Sequence, residues 1–298
     1  PAGGIYERIK AGHLTAKRMQ MTEKTEPAKK EISIYIHIPF CKSKCRYCDF
    51  NSYKGMEAYI PSYFVAMDKE LAQYREVLES RAVKSVFFGG GTPSIVKSEL
   101  ICGFMEKLKE RFEFLHDAEV TIECNPGTVD SEKFKAYKRA GVNRISLGLQ
   151  CWQASLLKTL GRTHSASDFE ISIDSARREG FSNINADLIF GIPGQTVEDW
   201  TETLDKVIAM ELPHISCYSL SIEEGTELSI MRDRGELAEQ DDEIDRAMYH
   251  YAESRLKDEG YRHYEISNFA RPGCECLHNL VYWRCGEYLG LGAGAHSY

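Results

Sequence analysis

Short apolar runs alternate with amphipathic stretches along most of the chain, and this alternation predicts an α/β fold. Six runs have the composition of buried parallel strands, and they span residues 33–38, 83–88, 118–123, 143–149, 183–190 and 214–220. Between them, apolar side chains recur every three or four positions, which predicts helices. These helices span residues 98–111, 131–140, 167–179 and 197–210. The repeated units predict a parallel sheet curled into a partial (β/α)6 barrel.

A further helix is predicted between the first and second strands. Its buried face is formed by five side chains at spacings of three and four, namely Phe64, Met67, Leu71, Tyr74 and Leu78. The same spacing recurs late in the chain, where Ile244, Met248, Ala252 and Leu256 predict a helix beyond the barrel.

The two ends of the chain depart from the strand-helix pattern. Residues 1–30 are polar and weakly patterned, so we interpret them as an N-terminal tail. Residues 31–221 hold the predicted barrel. The acidic and irregular stretch at residues 222–245 is the first break after the sixth strand, and it begins a smaller α+β C-terminal extension over residues 222–298.

Composition excludes several classes of protein. Of 298 residues, 43% are hydrophobic and 28% charged, which is typical of a globular protein and not of a disordered one. The formal net charge of -8 argues against a nucleic-acid binder. No apolar run approaches the roughly 18 residues that a membrane helix needs. We therefore expect a cytoplasmic protein with no membrane contact of its own.

Cys41, Cys45 and Cys48 form a C-x3-C-x2-C pattern directly behind the first strand, which Pro39 ends. In a reducing compartment such cysteines are metal ligands more often than disulfide partners. A [4Fe-4S] cluster binds up to four thiolates, so three would leave one iron without a protein ligand. The alternative is a structural zinc ion with His37 as the fourth ligand. That alternative gives no role to the polar residues at the ends of the other strands.

Those polar residues follow or end successive strands. Gly89–Gly91 comes after the second strand, and Glu123, Gln150 and Asp187 lie at the ends of the next three. Because active sites of parallel barrels lie at the carboxyl ends of the strands, these residues are expected to share one rim. A hydrogen bond within the fold would explain any one of them. Together they predict a polar ligand.

Several segments carry a resemblance to a known family: "IYIHIPFCKSKCRYCDF", "GGGTPS", "IECNPGT", "GVNRISLGLQ", "LGRTH", "NADLIFGIPGQT", "YEISNFARPG" and "HNLVYW". The chain resembles the radical S-adenosylmethionine (radical SAM) superfamily and, within it, the oxygen-independent coproporphyrinogen III oxidase family. Two features favour the haem chaperone (HemW) branch over the oxidase. Phe50 stands where the oxidase has a further cysteine, and residues 278–283 match the branch motif H-N-x-x-Y-W.

The resemblance implies a set of ligands. S-adenosylmethionine would bind the open iron of the cluster, among residues that resemble its surroundings in the family: Tyr35, Tyr47, Gly90, Gly91, Thr92 and Glu123. A second molecule is held in the oxidase by residues that Gln150, Arg162 and Asp187 resemble. Haem is the third implied cofactor, and His278 is its candidate ligand because imidazole is a common axial ligand of haem iron.

The implied function is that of a haem chaperone, which binds haem and passes it to an acceptor protein. Two enzymes are the alternatives: a coproporphyrinogen III oxidase, and a radical SAM methyltransferase acting on a porphyrin-like substrate. The implied partners are haem or a porphyrin, an acceptor and an electron donor such as a flavodoxin or ferredoxin, with membrane contact only through the acceptor. Family members continue into a further helical domain, so we expect this chain to be a fragment.

Overall fold

The computed structural model describes residues 29–298, of which residues 31–298 form one compact unit. The predicted tail therefore lies outside the described residues, apart from its last two. The side chains of residues 77 and 78 are also outside the description, and with them the predicted apolar position at Leu78. No helix in the described part is long and apolar enough to cross a bilayer.

A nine-stranded sheet forms the frame of the molecule, and a two-stranded sheet lies beside it. The strands are β1 (Lys30–Ile38), β2 (Phe40–Cys41), β3 (Tyr53–Lys54), β4 (Arg81–Gly90), β5 (Glu113–Cys124), β6 (Arg144–Gln150), β7 (Asn183–Phe190), β8 (His214–Ser219), β9 (Arg262–Glu265), β10 (Asn268–Ala270) and β11 (Tyr288–Leu291). The order in the large sheet is β11-β1-β4-β5-β6-β7-β8-β10-β9, and β4 to β8 pair in parallel. All six predicted strands are present, and the predicted partial barrel is confirmed.

Ten α-helices of the described part connect or cover these strands. They are α1 (Ile60–Gln73), α2 (Arg75–Glu79), α3 (Ser98–Arg111), α4 (Ser131–Ala140), α5 (Ala154–Thr159), α6 (Ala166–Arg178), α7 (Val197–Ile208), α8 (Glu227–Asp233), α9 (Asp242–Asp258) and α10 (Leu277–Trp283). The predicted bounds of α3 and α4 are confirmed to the residue. The helix predicted over residues 64–78 is divided, because the amide of Tyr74 bonds to Leu71 and closes a tighter turn between α1 and α2.

Local sequence signals begin the helices where the sheet needs them. The side chains of Ser165 and Thr196 each accept a hydrogen bond from the amide three residues later, and an aspartate at that position bonds back to the cap. These capping boxes satisfy amides that the first turns of α6 and α7 leave unpaired. Gly141 ends α4 in the left-handed conformation, at φ 96°, which glycine adopts without steric cost.

The two faces of the large sheet differ in polarity. One face packs apolar side chains such as Ile34, Val86 and Ile145 against the surrounding helices, forming the main hydrophobic core. The other face is buried but polar, and its side chains bond to one another across neighbouring strands. Asn185, for example, donates to Ser146 at 2.7 Å. A buried polar face needs partners or a ligand, so the chemistry of the barrel lies on this side.

Residues 222–298 supply strands to both edges of the large sheet. Strand β10 pairs antiparallel with β8, whereas β11 pairs in parallel with β1. The sequence pattern predicted neither pairing. The boundary at residue 222 stays a prediction, but these residues complete the sheet in which the site is built.

Candidate functional site

Cys41 ends β2, and the loop from there to β3, which carries Cys45 and Cys48, is anchored from several sides. The Nζ atom of Lys44 donates to the carbonyl oxygens of Phe50 at 2.6 Å and Ser52 at 3.1 Å, which closes the loop on itself. Arg46 anchors the middle of the loop. Its amide donates to Leu160, its carbonyl accepts from Leu228, and its guanidinium pairs with Glu227 at 2.9 Å. The loop is therefore held between α5 and α8.

The three cysteines are free thiols that line one cavity of about 430 Å³. Each sulfur has a polar neighbour. Thr92 Oγ1 donates to Cys41 at 3.6 Å, Arg162 Nη1 donates to Cys45 at 3.4 Å, and the Ser52 hydroxyl lies 3.9 Å from Cys48. Burial raises the pKa of the Cys48 thiol.

The three free thiols suit a [4Fe-4S] cluster, which binds each thiolate to a different iron. His37 is not placed as a fourth ligand of zinc. Its Nε2 donates to the carbonyl of Asn51 at 2.8 Å, and its Nδ1 lies 3.0 Å from the Tyr35 hydroxyl. Both ring nitrogens are already engaged within the fold.

The glycine segment after β4 packs directly against the cysteine loop. A Cβ atom on Gly91 would lie 2.8 Å from the Phe40 carbonyl oxygen and 3.0 Å from the Cys41 sulfur. Gly90 has φ 110°, and its Cβ would lie 2.6 Å from the His37 ring. The amides of Gly91 and Thr92 donate to carbonyls of the segment that enters the loop. Glycine is required here for close approach, and contacts from this segment to a ligand would come from carbonyls or from Thr92 Oγ1.

Two carboxyl groups face the cavity from β5 and β7. Glu123 Oε2 accepts from the amide of Gly90 at 3.2 Å, and burial together with nearby Asp187 raises the pKa of Glu123 to about 8. Asp187 accepts from Ser146 at 3.0 Å, and burial also raises its pKa. Such partly buried carboxyl groups are suited to accept hydrogen bonds from ribose hydroxyls or to neutralise a cationic ligand.

Gln150 ends β6 in an unusual conformation. Its φ is 71°, which is left-handed and uncommon for a residue with a side chain. The strand register between β6 and β7 shifts at the same place, between Gly148 and Gln150. Strain of this kind is maintained where the surrounding structure requires it, often at a binding site.

The structure brings most of the predicted site residues together. The 430 Å³ cavity is lined by the three cysteines and by Tyr47, Gly90, Gly91, Thr92, Glu123, Gln150, Arg162 and Asp187. Tyr35 and His278 are the exceptions, because both line a second cavity. The prediction omitted Asn125, His164 and Tyr218, which also line the first cavity. Asn125 and Tyr218 lie at or just past the ends of their strands, which was the signal already used for Glu123.

The second cavity, about 180 Å³, lies on the polar face of the sheet and shares Glu123, Ser146, Asp187 and Tyr218 with the first. Helix α10 forms part of its wall. The amides of Leu277 and His278 at the start of α10 donate to the Glu119 carboxylate. An anion at a helix N-terminus is stabilising, and it fixes α10 against the barrel.

His278 is fully enclosed by this arrangement. Its Nδ1 lies 2.8 Å from the Ser85 hydroxyl, its Nε2 lies 3.0 Å from the Tyr282 hydroxyl, and its ring stacks on Phe87 at 5.1 Å. Burial lowers the pKa of His278 to about 3, so the ring is neutral near pH 7. Neutral imidazole is the form that ligates iron, but both nitrogens have partners within the fold.

Comparison with known proteins identifies the family. The Radical SAM superfamily model matches residues 35–207. The heme chaperone HemW of Haemophilus influenzae is 37% identical over 271 residues, covering 89% of this chain and 70% of that protein. The HemW protein of Escherichia coli is 38% identical over a similar share. A mouse protein, radical S-adenosyl methionine domain-containing protein 1, mitochondrial, is 39% identical, and the match spans 62% of its length.

Solved structures agree at the level of the fold. Coproporphyrinogen III oxidase (HemN) from Escherichia coli has a TM-score of 0.78 at 24% identity, over 91% of this chain and 65% of that one. An archaeal Elp3 protein has a TM-score of 0.53 at 18% identity. The match to the superfamily model and the identity to the curated relatives together show that the chain belongs to the radical SAM superfamily and, within it, to the HemW family.

Proposed function

We propose that this chain acts as a haem chaperone that binds a [4Fe-4S] cluster, S-adenosylmethionine and haem, and that transfers haem to an acceptor. One observation supports the cofactor part: three free thiols, a glycine segment and the partly buried carboxyl group of Glu123 line the same cavity. The haem part is supported by identities of 37% and 38% to relatives named heme chaperone.

Cys41, Cys45 and Cys48 would hold the cluster and leave one iron open. When bound there, S-adenosylmethionine supplies radical chemistry that no side chain can supply. The protein contributes orientation. Glu123 is the candidate acceptor for the ribose hydroxyls. Thr92 and the carbonyls of the neighbouring glycines lie next to Cys41 and would contact the part of the ligand nearest the cluster. Whether Gln150, Arg162 and Asp187 hold a second molecule stays a prediction.

His278 remains the candidate haem ligand, but ligation would first require one of its hydrogen bonds to break. The Ser85 hydroxyl that it contacts donates in turn to Ser33, so Nδ1 donates and Nε2 accepts from Tyr282. Ligation through Nε2 requires the Tyr282 hydroxyl to turn away, at a cost of about 1 kcal/mol, the net value of a typical hydrogen bond. The cavity of about 180 Å³ is too small for a macrocycle, given that pockets for drug-sized ligands start near 300 Å³. Haem would therefore reach Nε2 of His278 past Tyr282, which is 41% exposed and bonds to that nitrogen.

The partners follow from this function. An acceptor receives the haem, and a flavodoxin or ferredoxin is the expected class of electron donor for the cluster. The net charge of -8 gives no support to a nucleic-acid partner. We place the protein in the cytoplasm, with membranes reached only through the acceptor, although one relative carries the word mitochondrial in its name.

Haem titration into the anaerobically loaded protein tests the haem part. We expect saturable uptake with a Soret band, and an altered Soret spectrum or a weaker affinity for His278→Ala. The control is His164→Ala, since His164 is a cavity histidine on another element. An unchanged spectrum and affinity for His278→Ala, with folding verified by circular dichroism, would exclude His278 as the ligand. If the wild-type protein takes up no haem, the chaperone assignment is wrong for this chain.

A further inference from the structure

The Arg162 side chain contacts the cysteine loop directly. It follows α5 in the chain, 117 residues after Cys45, and its Nη1 donates a hydrogen bond to the Cys45 sulfur at 3.4 Å. In the part of the chain that the structure describes, no other lysine or arginine donates a hydrogen bond to any of the three cysteine sulfurs. The Nζ atom of Lys44, although close by, is bonded to Phe50 and Ser52.

The rest of the guanidinium is fixed, which makes the contact with sulfur specific. Nη2 donates to Asn125 Oδ1 at 2.9 Å and to the carbonyl of Gly148 at 2.7 Å. A Cβ atom on Gly148 would lie 2.7 Å from Nη2, so glycine makes room for the guanidinium at this point of β6. Both hydrogens of Nη2 are therefore in use, whereas the buried Nε has no hydrogen-bond partner among the described residues.

We propose that Arg162 is a positioning residue for the cluster, and that it holds Cys45 and raises the reduction potential of the cluster. Hydrogen bonds to the sulfurs and the net charge around a cluster set its potential. Reduction adds one negative charge to the cluster. A permanent positive charge bonded to one ligand sulfur stabilises that added charge, because the charges lie only a few ångströms apart and partly out of water. The proposal rests on the cluster assignment of the proposed function, and it gives Arg162 a role that requires no second S-adenosylmethionine.

A redox titration followed by electron paramagnetic resonance tests this role, using the anaerobically reconstituted protein without S-adenosylmethionine or haem. Arg162→Gln removes the charge and should make the potential more negative than in the wild type. Arg162→Lys keeps the positive charge but lacks the planar guanidinium. Its reduction potential should lie between those of the wild type and Arg162→Gln. Arg111→Gln in α3 is the control, because it removes one positive charge that pairs with Asp68 and lies outside the residues that line the cavity. Its potential should stay near the wild-type value.

Equal potentials for the wild type and Arg162→Gln would overturn the proposal, and so would equal shifts in Arg162→Gln and Arg111→Gln. If Arg162→Gln folds but retains no cluster, the test is made with Arg162→Lys. A reduction potential more negative than that of the wild type then supports the proposal, and an unchanged potential overturns it. A wild-type protein that holds no [4Fe-4S] cluster would instead refute the proposed function itself. The two failures are therefore distinguishable.

Discussion

The free energy of unfolding of the wild-type protein should fall as the pH rises, in part because Glu123 titrates. Replacing Glu123 by Gln should abolish this contribution. Burial and the neighbouring Asp187 raise the pKa of Glu123 from 4.5 to about 8. Below pH 4.5 the carboxyl group is protonated in both the folded and the unfolded protein. Between pH 4.5 and 8 the unfolded chain releases this proton and the folded protein keeps it, so folding becomes less favourable as the pH rises.

The size of the effect follows from the shift in pKa. A shift from 4.5 to about 8, at about 1.4 kcal/mol for each pKa unit, corresponds to about 5 kcal/mol of folding free energy above pH 8. Glutamine has no proton to release, and its side-chain oxygen can still accept from the Gly90 amide. The variant should therefore be more stable than the wild type at pH 9, and the difference should narrow towards pH 5.

Urea unfolding of the cluster-free protein, under reducing conditions between pH 5 and 9, measures this difference. Asp187→Asn is a second variant to measure, because the charge of Asp187 is the largest cause after burial of the raised pKa of Glu123. Removing that charge should lower the pKa of Glu123 and weaken the pH dependence that Glu123 contributes. Parallel stability curves for the wild type and Glu123→Gln across this pH range would show that Glu123 titrates normally, and would refute the reasoning.

Two further predictions concern the cluster. Gly91→Ala should lower iron and sulfide content after anaerobic reconstitution, because the new Cβ would lie 3.0 Å from the Cys41 sulfur and closer still to two carbonyl oxygens. Gly103→Ala in α3 is the control, because its new Cβ would meet nothing within 4 Å. It should leave the iron and sulfide content unchanged and stabilise the helix by up to about 1 kcal/mol. Full cluster content in Gly91→Ala would contradict the packing argument. Replacing Cys41, Cys45 or Cys48 by Ala should each sharply lower iron and sulfide content, and a variant with a complete cluster, or bound zinc in the wild type, would refute the assignment.

The sequence predicted the parts of the fold that depend on local pattern. The bounds of α3 and α4 follow from apolar spacing and from residues that end helices, such as Gly141. The positions of β10 and β11 do not follow from local pattern, because their pairing with β8 and β1 depends on long-range packing. The end of α1 at Tyr74 was not predicted, because the apolar spacing of the sequence continues across it.

The candidate site shows the same division. Glu123 was predictable, because a polar residue at the end of an apolar strand lies on the rim of a parallel barrel. The contact between Arg162 and Cys45 joins residues 117 positions apart and depends on Gly148, which leaves room for the guanidinium. The enclosure of His278 depends on Glu119, which bonds the start of α10 from a strand far back in the chain. Neither contact has a signal in the spacing of residues.

The central claim is that the protein carries haem on a radical SAM framework, and one measurement tests it most directly. The anaerobically reconstituted protein is incubated with reductant and S-adenosylmethionine, either with haem or with coproporphyrinogen III, and haem uptake, porphyrin products and 5'-deoxyadenosine are quantified together. For a haem chaperone we expect stoichiometric haem uptake and no porphyrin product. Repeated turnover of coproporphyrinogen III with matching release of 5'-deoxyadenosine, in the absence of haem uptake, would contradict it and establish an oxidase.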